Sequence, residues 1–224
     1  METDEKIQYA IAHTQVIRPP KQSLATFGTT NVYYYLVTEL TEAVNIVREG
    51  RVIAERPRIV TPSYLIHLEG FSEQARRFIE LMAQKYPTEP GVFYSYKNEA
   101  REMNIVSGPL KQVVDNINAR IDSQRDPLSA IIKGVEESWD VSLLKFTYEL
   151  TRRSLYTNIA ELEDSGLLDI DEAGVPKDAR RHIEELFEEV RENSSQAPKL
   201  ITELRRWNLF HQYQDRFFNL FKRK

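Results

Sequence analysis

The first half of the chain alternates short apolar runs with turn-forming residues. Residues 31–40 are rich in aromatic and β-branched side chains, which is typical of a strand. The runs 44–47 and 52–54 flank Glu49-Gly50, a pattern that predicts a hairpin, because glycine supplies the positive φ of a tight turn. Residues 91–96 and 103–106 predict a second strand pair joined by a charged loop. Together with a short edge strand or arm within residues 1–25, these runs predict a small antiparallel sheet of about five strands.

Apolar residues spaced three and four apart predict helices between and after the strands. One helix begins at Pro62 and interrupts the sheet, and a second covers residues 109–122. Asp126-Pro127 combines an N-cap acceptor with proline at the first helical position, which predicts the start of a long helix. Its apolar stripe is Leu128, Ile132, Val135, Trp139, Leu143, Phe146 and Leu150. Further helices are predicted after Pro176 and after a linker at 193–198.

This order of elements predicts an α+β fold, because the strands come in hairpin-linked groups and the C-terminal half is largely helical. We expect an α+β sheet region over residues 1–125 and a helical region over residues 126–224. The two regions are either separate or parts of one continuous domain. Residues 193–224 would then form a C-terminal helical arm.

Composition excludes several kinds of site. The 224 residues include no cysteine, which rules out disulfides, thiolate zinc sites, iron–sulfur clusters and cysteine nucleophiles. The eight glycines form no G-x-G pair and no phosphate-binding loop, so we expect no cofactor. The acidic N-terminus carries no secretory signal, and the longest uncharged stretch, residues 22–38, is too polar to span a membrane. We therefore expect a cytoplasmic protein that is not integral to a membrane.

Two histidines are candidates for acid–base or metal chemistry. Asp178, His182, Glu185 and Glu189 are spaced four, three and four apart, so they share one face of a helix. Such a face can hold a divalent metal or an imidazole oriented by a carboxylate, but it is also typical of a solvated acidic surface. His67 lies in an apolar stretch. No catalytic residue is assigned and no bound metal is expected.

Tyrosines predict a possible binding face. Tyr33 and Tyr35 share one face of a strand, and so do Tyr94 and Tyr96 on another. If the two pairs are neighbours, they form a platform for bases or flat ligands; if helices cover them, they belong to the core. Residues 1–160 carry 19 basic and 20 acidic residues, which gives no electrostatic attraction for nucleic acid.

The C-terminal segment has the strongest charge asymmetry. Residues 161–192 carry 12 acidic and 4 basic residues, whereas residues 193–224 carry 7 basic and 2 acidic ones, so we expect these blocks to pair within one chain or between chains. The last helix places four aromatic residues on one face and two arginines at its start: Trp207, Phe210, Phe217, Phe221, Arg205 and Arg206. This face either packs within its own domain, docks on another subunit or lies on a membrane. Membrane contact is not expected, because the basic residues cluster at the two ends.

The leading functional hypothesis is a non-enzymatic interaction or assembly module that forms a homo-oligomer through its C-terminal helices. Binding to a further protein partner is compatible with this hypothesis. The first alternative is a ligand- or nucleic-acid-binding module that uses the tyrosine face. The second is a hydrolase or metal-dependent enzyme with a site around His182 or His67.

Overall fold

The computed structural model of the chain describes residues 3–60, 84–85 and 91–221. Two compact units are present: residues 1–57 with 94–159, and residues 58–93 with 160–224. The helix predicted to begin at Pro62, with His67, falls outside the described residues. The predicted division after residue 125 stays a prediction.

Helices and strands follow one another along the described chain. In order they are α1 (Thr3–His13), β1 (Gln15–Arg18), β2 (Thr30–Thr41), β3 (Val44–Ala54), β4 (Arg58–Val60), β5 (Gly91–Phe93), β6 (Tyr96–Ser107), α2 (Leu110–Gln124), β7 (Ser129–Gly134), α3 (Trp139–Asp164), α4 (Lys177–Glu192), α5 (Ala197–Arg206) and α6 (Phe210–Asn219). Short 3₁₀ turns precede α3 and α5. None of the helices among the described residues combines the length and apolar character needed to cross a membrane.

The first unit contains a five-stranded sheet in the order β1-β7-β2-β3-β6. This sheet and the helices confirm the α+β class. The sheet is mixed rather than antiparallel, because β7 runs parallel to β2 while the other neighbours are antiparallel. A second, two-stranded sheet pairs β4 with β5.

The prediction of a helix starting at Asp126-Pro127 is wrong for its first part. Asp126 accepts hydrogen bonds from the Leu128 N–H at 2.8 Å and from the Ser129 hydroxyl at 2.9 Å, so its side chain starts the strand β7 instead. Residues Ala130, Ile131 and Ile132 are fully buried. A central strand covered on both faces is apolar at successive positions, and this pattern resembles the stripe of a buried helix.

The hairpin predicted at Glu49-Gly50 is also wrong. Both residues lie in the middle of β3, and the turn that joins β2 to β3 is at residues 42–43. The charged loop predicted before residue 103 is part of the continuous strand β6.

Helices cover both faces of the large sheet. On one face, called here the α2 face, Val113, Val114, Ile117 and Ile121 of α2 pack against a cluster that includes Tyr35 and Val47. The opposite face, called here the α3 face, includes Leu36, Arg48 and Gly134. Arg48 lies 5.2 Å from the ring centroid of Trp139, and Gly134 adjoins Ser142, so α3 packs on this side.

The second unit has its own core between α4, α5 and α6. Ile183 and Phe187 of α4 are fully buried against Leu200 and Leu204 of α5 and Phe217 of α6. The single final helix predicted from the sequence is two helices. Between them Asn208 adopts φ 56°, a left-handed conformation that ends the first of the two.

Candidate ligand-binding groove

A groove opens on the α2 face of the sheet, beside the edge strand β6. Helix α2 packs mainly on β2, β7 and β3, which leaves space above the outer part of the sheet. The groove has a volume of about 320 Å³. Residues of β3, β6 and α2 line it: Val47, Glu49, Asn104, Val106, Val113, Asn116, Ile117 and Arg120.

The floor of the groove consists of aliphatic side chains, and its rim carries polar ones. Val47, Val113 and Ile117 are buried, whereas the amide side chains of Asn104 and Asn116 belong to exposed residues. Ligand sites combine these two features, because apolar walls supply binding energy and a few polar groups fix orientation.

Arg120 is held in place at one end of the groove. Its Nη2 donates to Glu49 Oε1 at 2.6 Å, and its guanidinium carbon lies 4.6 Å from the ring centroid of Tyr35. Partial burial opposes the charge on Arg120, but the hydrogen bond and charge of Glu49 outweigh it and raise the pKa of the guanidinium. The cation at this end of the groove is therefore fixed in position and charged at every physiological pH.

Sequence reasoning missed this groove, although part of its pattern is visible. Asn116 and Arg120 stand four apart on α2, next to the buried Val113 and Ile117, so two polar groups flank an apolar stripe. The strands that form the floor are distant in sequence, and no local pattern predicts that they meet α2.

Tyr33 and Tyr35 lie on one face of the sheet and Tyr96 on the other, whereas Tyr94 lies between β5 and β6, so the prediction that Tyr94 and Tyr96 share a strand is wrong. Tyr33 and Tyr35 share the α2 face, where Arg101 lies 5.1 Å from the ring centroid of Tyr33 and α2 covers Tyr35. Tyr96 pairs with Ala54 on the α3 face, and its hydroxyl is hydrogen-bonded to that of Thr151 in α3. Tyr94 stacks on Tyr96 with ring centroids 6.3 Å apart. The four rings therefore do not form one open platform, and nucleic-acid binding on them stays without structural support.

Replacing Tyr94 by phenylalanine is expected to raise the free energy of unfolding by about 1 kcal/mol, since a buried hydroxyl without a partner costs desolvation energy. The Tyr94 hydroxyl is buried and has no hydrogen-bond partner among the described residues. Burial also raises its pKa to about 12. The folded-state pKa therefore exceeds the unfolded-state value of about 10. Between these two values the unfolded chain loses its phenolic proton and the folded chain keeps it, so the free energy of unfolding is highest below about pH 10 and falls as the pH approaches 12.

Urea unfolding near neutral pH and at about pH 11 measures both effects, and Tyr156→Phe is the matched control, because Tyr156 is exposed. The difference in free energy of unfolding between Tyr94→Phe and the natural chain should be larger at the higher pH. A loss of stability in this variant, or an unchanged tyrosinate absorbance titration, would contradict the assignment.

His182 is hydrogen-bonded to Arg58, and both residues belong to the second unit. Its Nε2 lies 2.8 Å from Arg58 Nη1, and its Nδ1 lies 3.5 Å from a carboxylate oxygen of Glu185. The buried Asp178 accepts a hydrogen bond from the backbone N–H of Ile59 at 3.0 Å. A guanidinium at Nε2 occupies the lone pair that a metal would need, and it adds positive charge beside it. Among the described residues, no group of three or more potential ligands is arranged to hold a metal ion.

The aromatic residues of the C-terminal helices pack within their own unit. Phe217 is buried, and Trp207 and Phe210 pack against the same core. Phe221 is exposed and keeps a ring contact with Phe217 at 5.3 Å. Three of the four predicted aromatic residues therefore pack against the core of their own unit while Phe221 is exposed, and oligomerisation through this segment stays a prediction.

Charges of the C-terminal segment also pair within the chain. Arg216 makes two hydrogen bonds, of 2.8 and 2.6 Å, to Glu184, which links the basic block to the acidic one. Arg206 forms an ion pair with Glu203 at 2.5 Å, and Arg205 lies 5.8 Å from the ring centroid of Phe210.

Comparison of the chain with protein-family models, with curated protein sequences and with solved structures gave no match.

Proposed function

We propose that the protein is a ligand-binding module and that the groove between α2, β3 and β6 is its site. The observation that carries this proposal is the combination of a buried aliphatic floor with a fixed arginine and two amides at the rim. The groove lies on the face that carries Tyr33 and Tyr35, but neither tyrosine is among the residues that line it.

The lining selects a small amphipathic molecule with a branched aliphatic body and a carboxylate or amide head. Val47, Val106, Val113 and Ile117 match an aliphatic body by burying it. Each asparagine amide offers both a donor and an acceptor to an amide or carboxylate. The ion pair of Arg120 with Glu49 uses Nη2, and a guanidinium carries five N–H donors in all, which suits a carboxylate.

N-acetyl-leucine is a suitable probe, because it combines a branched aliphatic side chain with an amide and a carboxylate. Titration of the isotope-labelled protein, followed by NMR, should give saturable shifts at residues of α2, β3 and β6, with a Kd of roughly millimolar order for so small a ligand. Asn116→Phe should abolish these shifts by filling the mouth of the groove. Arg120→Gln should weaken binding of the acid more than binding of N-acetyl-leucine amide.

Asp115→Phe is the matched control, because Asp115 is an exposed neighbour on α2 that does not line the groove. This variant should bind like the natural chain. The proposal fails if the natural chain shows no saturable shifts around the groove, or if Asn116→Phe and Asp115→Phe bind equally well.

A further inference from the structure

Strand β6 is a long and exposed edge. It is the last strand of the order β1-β7-β2-β3-β6, and within the described part of the chain no strand pairs with its outer side. Met103 and Ile105 are 63% and 69% exposed. An edge strand of this length presents a row of N–H and C=O groups that can recruit another strand, and its charged side chains limit which strand fits.

Helix α3 also carries exposed apolar side chains. Leu144 and Tyr148 are 67% and 61% exposed and stand four apart on α3. Thr151 extends the same stripe and meets Tyr96 of β6. This hydrogen bond joins the exposed side of α3 to the α3 face of β6.

A β-bulge at Arg101 sets which residues of β6 share a face. Glu49 of β3 opposes Glu102, whereas Gly50 opposes Ala100, so Arg101 is the extra residue. As a result Ala100 and Met103 lie on the same face, although they are three positions apart. Tyr96 and Ser107 likewise share the α3 face, because they oppose Ala54 and Val44.

The bulge makes β6 complementary to itself over its whole length. A two-fold axis that places identical strands side by side and antiparallel is perpendicular to the sheet, so opposing residues must share a face. Full overlap places Tyr96 opposite Ser107 of a second copy. In a regular strand these two residues would lie on different faces, whereas the bulge puts them on the same one.

Charge also favours this register. Full overlap places Arg101 opposite Glu102 of the second copy and, by symmetry, Glu102 opposite its Arg101. A shift by one residue in either direction would place two arginines or two glutamates opposite each other at the axis, which is unfavourable. On the α3 face, Ala100 opposes Met103 and Asn98 opposes Ile105.

We propose that the protein forms a homodimer by antiparallel pairing of β6 with β6 of a second copy, in the register that places Tyr96 opposite Ser107. The two five-stranded sheets then join into one sheet of ten strands. This pairing places Met103 and Ile105 beside β6 of the second copy.

Sedimentation equilibrium tests the pairing and its charge pattern. The natural chain should show twice the chain mass of 26.2 kDa. Arg101→Glu and Glu102→Arg alone should each weaken dimerisation at least about tenfold, because like charges then meet at two symmetric positions. The double variant should restore it. Glu42→Arg, in the exposed turn between β2 and β3, is the control and should dimerise normally.

Cysteine cross-linking tests the register directly, because the natural chain has no cysteine. Ala100→Cys with Met103→Cys should give a disulfide-linked dimer, whereas Ala100→Cys with Ile105→Cys should not, because these positions are too far apart in this register. A bridge between residues 100 and 103 of the same copy would leave the chain mass unchanged, so non-reducing electrophoresis distinguishes it from the linked dimer. A monomer at all concentrations, a dimer insensitive to charge reversal, or cross-linking in the second pair only would overturn the proposal.

Discussion

Replacing Gly50 by alanine is expected to lower the free energy of unfolding by roughly 3 kcal/mol, because no space exists for a Cβ atom there. A Cβ at this position would lie 2.5 Å from the Tyr34 hydroxyl and 2.7 Å from the backbone carbonyl oxygen of Glu99. The tyrosine is almost fully buried and its hydroxyl is hydrogen-bonded to Asn98, while the carbonyl belongs to the neighbouring strand β6. Neither neighbour can move without disturbing the sheet.

Thermal and urea unfolding of Gly50→Ala measure this loss, with Gly91→Ala as control. At Gly91 the nearest atom to an added Cβ is 3.9 Å away, so alanine should change stability by less than about 1 kcal/mol. Equal stability of the two variants would show that Tyr34 and β6 do not approach Gly50 this closely.

Replacing Glu136 by glutamine is expected to cost about 2 kcal/mol near neutral pH, because it breaks a partly buried ion pair that is also hydrogen-bonded. Arg48 donates to the two carboxylate oxygens of Glu136 at 2.7 and 2.5 Å, and the Thr38 hydroxyl donates to the same group. Glutamine removes the negative charge and leaves the arginine, which also stacks on Trp139, without its counter-ion.

This effect should depend on pH. The hydrogen bond from Arg48 outweighs the opposing effect of burial and lowers the pKa of Glu136 below its usual value. The stabilisation is therefore present above the unfolded-state pKa and is lost as the pH falls through the lower folded-state value. Unfolding free energies of the natural chain and of Glu136→Gln should converge in acid. Glu137→Gln, at the exposed neighbouring position, should stay within about 0.5 kcal/mol of the natural chain throughout; a constant gap for Glu136→Gln would refute the ion-pair explanation.

Strand β6 takes part in both the groove and the proposed pairing. Asn104 and Val106 line the groove from the α2 face, while the edge of the same strand is available to a second copy. Because a perpendicular two-fold axis preserves the faces, the grooves of both copies would open on the same side of the joined sheet. Ligand binding and dimerisation would then act on one shared strand, which is the condition for energetic coupling between them.

Local patterns predicted elements that have one apolar and one polar side, or a composition strongly typical of strands. Helices α2 and α4 each combine a buried apolar stripe with a polar face, and β2 is rich in aromatic and β-branched residues. Strand β7 was predicted as helix because it is buried on both faces and so lacks the alternation that marks a strand. Gly50 led to the prediction of a turn, but in the structure it leaves room for the Tyr34 side chain of β2. This contact joins two strands, so the sequence around Gly50 alone does not reveal it.

The groove could not be predicted for a related reason. Its floor joins Val47 of β3 to Val106 of β6, and its wall comes from Ile117 of α2. Each residue looks like an ordinary core position in its own segment. Only the order of the strands, with β6 at the edge and α2 set over β2 and β7, leaves the space between them open.

The central position of β7 determines when the large sheet can close during synthesis. Strands β1 and β2 are made early, but β7 lies between them and is completed only at Gly134. Until then β2 pairs on one side only, and its apolar residues, among them Leu36, lack the neighbour that later buries them. Pairing between segments so far apart in sequence is slow, since the loop must close before the contact forms. The nascent chain therefore passes through a stage in which β1 has no partner in the sheet and one edge of the central strand β2 is open, and this is the stage at which chaperones would be needed most.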